Sequence, residues 1–530
     1  MENIIIFAHD DEFLECLLVD LNKNKTVSVT DVFVAGNVEP RFMHENVRIH
    51  LRKDAMSGNS NKLKKKYFID CIEIEKYSVV EQFFHRMCDT IDYDGSQFSG
   101  IERRRYFYDL LEYSLSILTE YKGKVIFTDN PHSPHDVVFA MVAEQLGVDV
   151  FILRETHLRG RYFVQYGLRG KLDLTKDILK KLNIDSSSRK DLEKFFEESS
   201  RKGYSLPSRY GFRRDHKVAL NAPSKLYYLF GYRLIFRLVL WALCVYRLIV
   251  ITAKHAAKKI IHRQNTKIIY EISDLLKISR EELPKYSFTN IDLLKITVHG
   301  NLKKRYLRYL YSGYEFDEKS FNLAEKKYVY FPLHYQPEAT TYPFGRYYID
   351  QYIAIELLSQ CLPDDYFIII KEHPDTFNMS EQGWVRGDFS RDHYTYEKLS
   401  SIKNVIFAPM TIDPFLLIDH SLFVATITGT TALQAIIRKK CAVVFGDAWF
   451  RDFDGIYYTP DKENLSLAIR GIITNFRKPD FQLNKYNWDL FIERTIKINR
   501  DNSNTVGSMG LASSAKKFLI SIDDLELDLR

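Results

Sequence analysis

Twice along this chain, short runs of β-branched and aromatic residues alternate with stretches of helical periodicity, and that alternation constrains the fold more than any other feature. The first series holds IIIFA (4–8), VFVAG (32–36), FIDCIEI (68–74), helical patterns near 78–90 and 101–120, KVIFTDN (124–130), the helix HDVVFAMVAEQLG and VDVFILRE (148–155). The second begins with KYVYFPL (327–333), a helix starting near Tyr348, YFIIIKEHP (366–374), a helix around 391–401 and NVIFAP (404–409). It continues with a short helix near 414–420, LFVATITG (422–429), TTALQAIIRK (430–439) and CAVVFGD (441–447). Strands this apolar have both faces covered, and strands alternating with helices build parallel, doubly wound sheets. The expected fold class is therefore α/β, with Rossmann-like domains over 1–165 and 321–480. A helical insertion or connector over 166–320 separates them, and a helical tail over 481–530 follows. A chain of 530 residues needs more than one core, which agrees.

Within the insertion, residues 225–263 are the most apolar part of the chain, yet Arg237 and Arg247 leave only nine uncharged residues between them. A membrane-spanning helix needs about 20. On a helical wheel Arg233, Arg237, Arg247, Lys254 and Lys258 form a basic stripe beside a broad apolar face that includes Trp241. This pattern suits the surface of an anionic membrane, and equally a long helix packed on its own protein with the stripe facing water.

Charge and cysteine usage exclude other classes. The balance of 75 basic against 69 acidic residues gives a net charge of only +6, so no nucleic-acid partner is expected. Six scattered cysteines make no CxxC pair and no metal-ligand cluster, which fits reduced thiols in a cytoplasmic setting. The opening MENIIIFAHDDEF reads as a first strand rather than a signal peptide.

Ligands of parallel sheets collect at the carboxyl ends of strands, and three polar strings of the second domain fall there. HYQPEATT (334–341) supplies Gln336, Glu338, Thr340 and Thr341 around Pro337. KEHP (371–374) places Lys371, Glu372 and His373 before Pro374; the imidazole could contact or protonate a phosphate, and Lys371 with Glu372 could equally be a solvated ion pair. In TGTT (428–431), Thr428 leads to Gly429, which lets a ligand approach the backbone, and Thr430 and Thr431 are expected to cap the next helix at an anion-binding N-terminus. Each string alone could be an ordinary turn or cap; together they favour a phosphorylated, nucleotide-type ligand. In the first domain the corresponding positions are Asp129, Asn130, His132 and His135, then Glu155 and His157. Arg154, Arg159 and Arg161 could hold an anionic acceptor.

The order FPLHYQPEATT, DQ (350–351), LP (362–363), KEHP, TGTTALQA and VVFG resembles the capsule polysaccharide biosynthesis family, strongly over about 120 residues and weakly over the N-terminal half. The resemblance implies the GT-B arrangement, two Rossmann-like domains facing one another, and Kdo-transferase-like glycosyl transfer. The donor would be a CMP-sugar such as CMP-Kdo, and the acceptor a capsular or other surface polysaccharide or its lipid-linked precursor. It implies His373 and Pro374 at the donor phosphate, with the hydroxyl pair on Thr430 and Thr431 and the QPE element on Gln336, Pro337 and Glu338. One position departs: relatives usually carry Glu where this chain has Gln434. Glu155 is the leading candidate for the acid or base, with Asp129 and His132 next, and Arg154 and Arg159 on the acceptor side. No DxD string sits at a sugar-nucleotide site, and a single donor phosphate needs no metal, so metal-independent transfer without a cofactor is expected. The expected location is cytoplasmic, peripheral on the inner face of the membrane. Alternatives are a non-catalytic assembly or export partner on a degenerate frame, for which Gln434 speaks, and a nucleotide-sugar epimerase-like enzyme.

Overall fold

The computed structural model describes residues 2–8, 27–34, 47–51, 100–131, 134–155, 161–168, 306–318, 321–335, 343–377, 393–475 and 496–497, with single positions around 14–21 and 77–84 and at 170, 341 and 391. The strand expected at 68–74, the basic segment 225–263 and most of the insertion lie outside these residues. Among the described residues no helix is long and apolar enough to cross a membrane.

The N-terminal sheet contains β1 (Glu2–Ala8), β2 (Val27–Val34), β3 (Arg48–Leu51), β4 (Gly123–Phe127), β5 (Asp149–Glu155), β6 (Arg161–Tyr166) and β13 (Ile496–Lys497), in the order β13-β6-β5-β4-β1-β2-β3. Strands β1 to β5 are parallel, as the alternation of strands with helices predicts, and β3 is additional to the strands expected. The sheet is not wholly parallel: β6 turns back antiparallel on β5, and β13 pairs antiparallel with β6. Because β13 comes from the tail read as helical, that reading is corrected at Ile496–Lys497, where the edge of β6 takes the backbone instead. Side chains divide by strand periodicity. Ile5, Phe7, Phe33, Val125 and Phe127 pack under α1 (Gly100–Leu118) and α2 (Pro134–Gln145), while Ile4, Ile6, Val32, Ile126 and Phe151 build the other face. Phe7 stacks at 4.4 Å on Phe33 and 4.5 Å on Phe127, its register partners on β2 and β4.

The second sheet holds β7 (Tyr328–Pro332), β8 (Phe367–Lys371), β9 (Val405–Phe407), β10 (Phe423–Thr426), β11 (Cys441–Val444) and β12 (Ile456–Tyr458). The β12 strand is additional to the five expected. Every pairing is parallel, in the order β12-β11-β10-β7-β8-β9. Tyr328 and Tyr330 face α5 (Pro414–His420) and α6 (Thr431–Ile437), whereas Val329 and Phe331 face α3 (Gln351–Cys361), α4 (His393–Ser401) and α7 (Lys462–Asn475). Cover on both sides explains why β7 is apolar at successive positions. Asp350 caps α3 through Tyr352 N–H, and Asp413 caps α5 through Phe415 N–H ahead of Pro414.

Two sheets of mainly parallel strands with helices are thus present, as the α/β expectation requires. Counted within its own domain, the second sheet runs 6-5-4-1-2-3, the doubly wound dinucleotide-binding order, with its switch point between β7 and β10.

Candidate functional site

HYQPEATT follows β7 and TGTT follows β10, so the two strings flank the switch point. Beneath them lies His334, 6% exposed. Its Nε2 is 2.9 Å from Thr426 Oγ1 and accepts the Thr428 N–H at 3.4 Å, while Gly429 N–H donates to Thr426 Oγ1 at 3.2 Å. With Thr428 donating, and the Thr426 hydroxyl free to donate once its oxygen has accepted from Gly429, the ring proton is assigned to Nδ1. A Cβ on Gly429 would come 2.6 Å from Thr426 Oγ1 and 3.1 Å from His334 Cε1. The missing side chain therefore lets the loop close over His334, a reason the sequence did not reveal. Thr428, expected at the ligand, is 6% exposed and spends its N–H on that ring. Thr430 stands at the N-cap position of α6 in helical conformation, and its hydroxyl makes no cap hydrogen bond, contrary to expectation. Gln434 is half-buried on α6.

KEHP follows β8, and its Glu372 is the most heavily bonded carboxylate of the site. Oε2 accepts from Arg391 Nε at 2.9 Å and Tyr396 hydroxyl at 3.0 Å; Oε1 accepts from His373 N–H at 2.9 Å and Thr376 hydroxyl at 3.3 Å. Glu372 is 1% exposed and Lys371 5% exposed, so the solvated Lys371–Glu372 pair is replaced by a buried Glu372–Arg391 pair. Burial would push Arg391 down, but the charge and hydrogen bonds of Glu372 raise it above the ordinary arginine value. Arg391 also donates to the His334 carbonyl at 2.9 Å, and Gln351 Nε2 donates to the same oxygen at 3.1 Å. The loops after β7, β8 and β10 are thereby joined in one polar chain, from Glu372 through Arg391 and His334 to Thr426 and Thr428. His373 remains half-buried beside it, its ring 5.7 Å from Tyr335, and Pro374 opens a 3-10 turn over Pro374–Phe377.

Where the sheets meet, the carboxyl end of β5 touches the loop after β11. Arg154 lies 3.8 Å over the Phe344 ring and reaches the Asp447 carbonyl at 3.4 Å, and Phe163 of β6 packs 6.0 Å from Trp449. The carboxyl ends of the two sheets therefore approach each other at Arg154.

In the N-terminal sheet, Asp129 follows β4 beside the β1/β4 switch point, and its Oδ1 accepts the Asn130 N–H at 2.7 Å. His135 does not line a site: it is 2% exposed, its ring 5.7 Å from each of Phe7, Phe33 and Tyr113. Gln336, Glu338, His132, His157 and Arg159 lie outside the described residues, as do the side chains of Glu155 and Arg161. Sequence reasoning missed Arg391, Arg346 and Asp447, and it passed over His334 although FPLH places a polar residue directly after a strand. It also missed a second polar network, in which Asp31 accepts from His50 Nε2 at 2.7 Å and Arg48 Nη2 at 2.9 Å, with the Tyr113 hydroxyl 3.1 Å from His50 Nδ1.

No curated protein matches the chain. Among solved structures, a UDP-GlcNAc 2-epimerase from Methanocaldococcus jannaschii overlaps at 12% identity and TM-score 0.24, covering 93% of this chain and 99% of that one. A UDP-GlcNAc 2-epimerase from Neisseria meningitidis bound to UDP-GlcNAc gives 11% and 0.20 over 99% and 100%. An α,α-trehalose-phosphate synthase from Burkholderia vietnamiensis gives 11% and 0.24 over 99% and 100%. The model of the capsule polysaccharide biosynthesis protein family matches residues 248–475, the stretch containing β7 to β12, and the resemblance carried by HYQPEATT, KEHP and TGTTA is thereby borne out over the segment that contains them.

Proposed function

We propose that the protein is a metal-independent glycosyltransferase that moves a sugar from a nucleotide-activated donor, a CMP-sugar such as CMP-Kdo, to a surface polysaccharide or its lipid-linked precursor. The observation that carries this reading is the placement of HYQPEATT and TGTT on either side of a dinucleotide-type switch point, within the capsule-family match. Such a crevice binds nucleotides because loops from strands on both sides converge there. His373 and the unspent Thr430 hydroxyl, with Thr431, hold the donor phosphate. Lys371, Thr428 and Gly429 shape its bed, Gln336 and Glu338 close the crevice, and Gln434 meets the ribose as a neutral hydrogen-bonding group.

Glu155, the last residue of β5, is the proposed acid or base, because that carboxyl end approaches the second sheet. Asp129, His132, Arg154 and Arg159 take the acceptor side, and the basic apolar segment 225–263 meets the cytoplasmic membrane face.

A transfer assay with the His373→Ala variant tests the assignment. Transfer is expected to disappear while the circular dichroism spectrum and melting temperature stay as in the wild type; full transfer by that variant would remove His373 from the mechanism.

A further inference from the structure

Three guanidinium groups gather around Asp447 at the junction of the sheets, two on its carboxylate and one on its backbone carbonyl. Asp447, 3% exposed, accepts from Arg346 Nε at 2.5 Å, from Arg451 Nη1, and from the Tyr458 hydroxyl at 3.1 Å. Asp452 approaches Arg451 Nε at 3.9 Å, giving Arg451 a second counter-charge. The positive surplus therefore falls on Arg154 and Arg346.

Arg154 enters from the other sheet and is 4% exposed. Its Nη1 reaches only neutral acceptors, Gln165 Oε1 at 2.6 Å and the Asp447 carbonyl at 3.4 Å, and its face lies on Phe344. A guanidinium buried without a carboxylate at hydrogen-bond distance is costly to keep charged. Burial pushes Arg154 down to about 9, opposed by the Asp447 charge and reinforced by that of Arg451. A perturbed cation buried where two elements meet is a candidate for binding an anion.

Arg346 carries a second cost. Its φ is 50°, in the left-handed region that a side chain of this kind rarely occupies. In that conformation Nε is spent on Asp447, while Nη1 and Nη2 make no hydrogen bond among the described residues; the side chain is 26% exposed. Phe344, under Arg154, and Arg346, which opens the 3-10 turn Arg346–Ile349 beside Asp447, are two positions apart, so the cations converge from both sheets.

We infer that Arg154 and Arg346 form a binding site for a substrate oxyanion, a phosphate or a carboxylate, between the two sheets. The bound oxyanion takes the free Nη edge of Arg346 and supplies the counter-charge that Arg154 lacks, which draws the sheets together around the ligand. The inference rests on the transferase reading only for the source of the oxyanion, either the donor phosphate, which Arg154 would reach from the acceptor side opposite His373, or the carboxylate of an acidic sugar.

Calorimetric titration of the full chain with CMP, pyrophosphate and glucuronate tests it, using wild type, Arg346→Gln and Arg154→Met. At least a tenfold loss of affinity is expected in Arg346→Gln for the ligand that uses the site. CMP and pyrophosphate losing affinity identify the phosphate as the source, and glucuronate losing affinity identifies the carboxylate. The melting temperature of unliganded Arg154→Met is expected to equal or exceed that of wild type, because the variant sheds an unpaired buried charge. Equal affinities in wild type and Arg346→Gln, or no binding of any of the three by wild type, would overturn the site. Nucleotide binding that needs His373 but neither arginine would overturn the site and spare the functional reading. Pyrophosphate or glucuronate binding that needs Arg346, with no nucleotide bound, would do the reverse.

Discussion

His334 Nε2 lies 2.9 Å from Thr426 Oγ1, directly under the glycine of the TGTT loop. This pair locks the end of β10 to the end of β7 across the switch point and sets the height of the crevice floor. Gly429→Ala would drive a methyl group into both partners. The expected cost is about 1–3 kcal/mol of stability, seen as a lower urea midpoint, with weaker nucleotide binding in parallel. A variant with unchanged midpoint and affinity would show that the loop does not depend on this closure.

Glu372 and Arg391 form the other brace. Glu372→Gln leaves Arg391 buried beside a neutral amide, and the expected loss is about 3–5 kcal/mol in urea denaturation. Replacing both residues together, as Glu372→Leu with Arg391→Met, should recover part of that loss, because no uncompensated charge remains. A double variant weaker than the sum of the single ones would contradict the pairing.

Much of this arrangement is legible in the sequence, and the remainder is not, for physical reasons. β7, β8 and β10 stand out because burial on both faces demands unbroken apolar runs, and the strings after them stand out because strand ends are where polar residues become affordable. β3 is different: RIHL is short and half polar, since Arg48 and His50 serve Asp31 on the neighbouring strand, and nothing local announces that partnership. β13 is a strand only because β6 offers it an edge. Lys371 and Glu372 adjoin in sequence, yet alternation along the chain separates them, and the partner of Glu372 stands at Arg391 in a different loop. Arg154 is recognisable as a cation near the end of a strand, whereas its place on Phe344 exists only once both sheets have formed.

Asp31 gives the fold a dependence on acid. Burial alone would raise its pKa, but the hydrogen bond from His50 and the charge of Arg48 hold it below the ordinary aspartate value. Its contribution to stability is full above the unfolded-state value of about 4 and fades as pH falls through the lower folded value. Asp31→Asn should therefore lie below wild type in denaturant midpoint at pH 7, and the gap should narrow as the pH drops below about 4. A gap of constant size between pH 7 and pH 2 would contradict this.

The most direct test of the nucleotide site is calorimetric titration of CMP, UDP and GDP into wild type and His373→Ala. Wild type is expected to bind CMP more tightly than UDP or GDP, and His373→Ala to lose at least tenfold in affinity, about 1.4 kcal/mol, with its melting temperature unchanged. Binding of none of the three nucleotides by wild type, or equal CMP binding by His373→Ala, would contradict it.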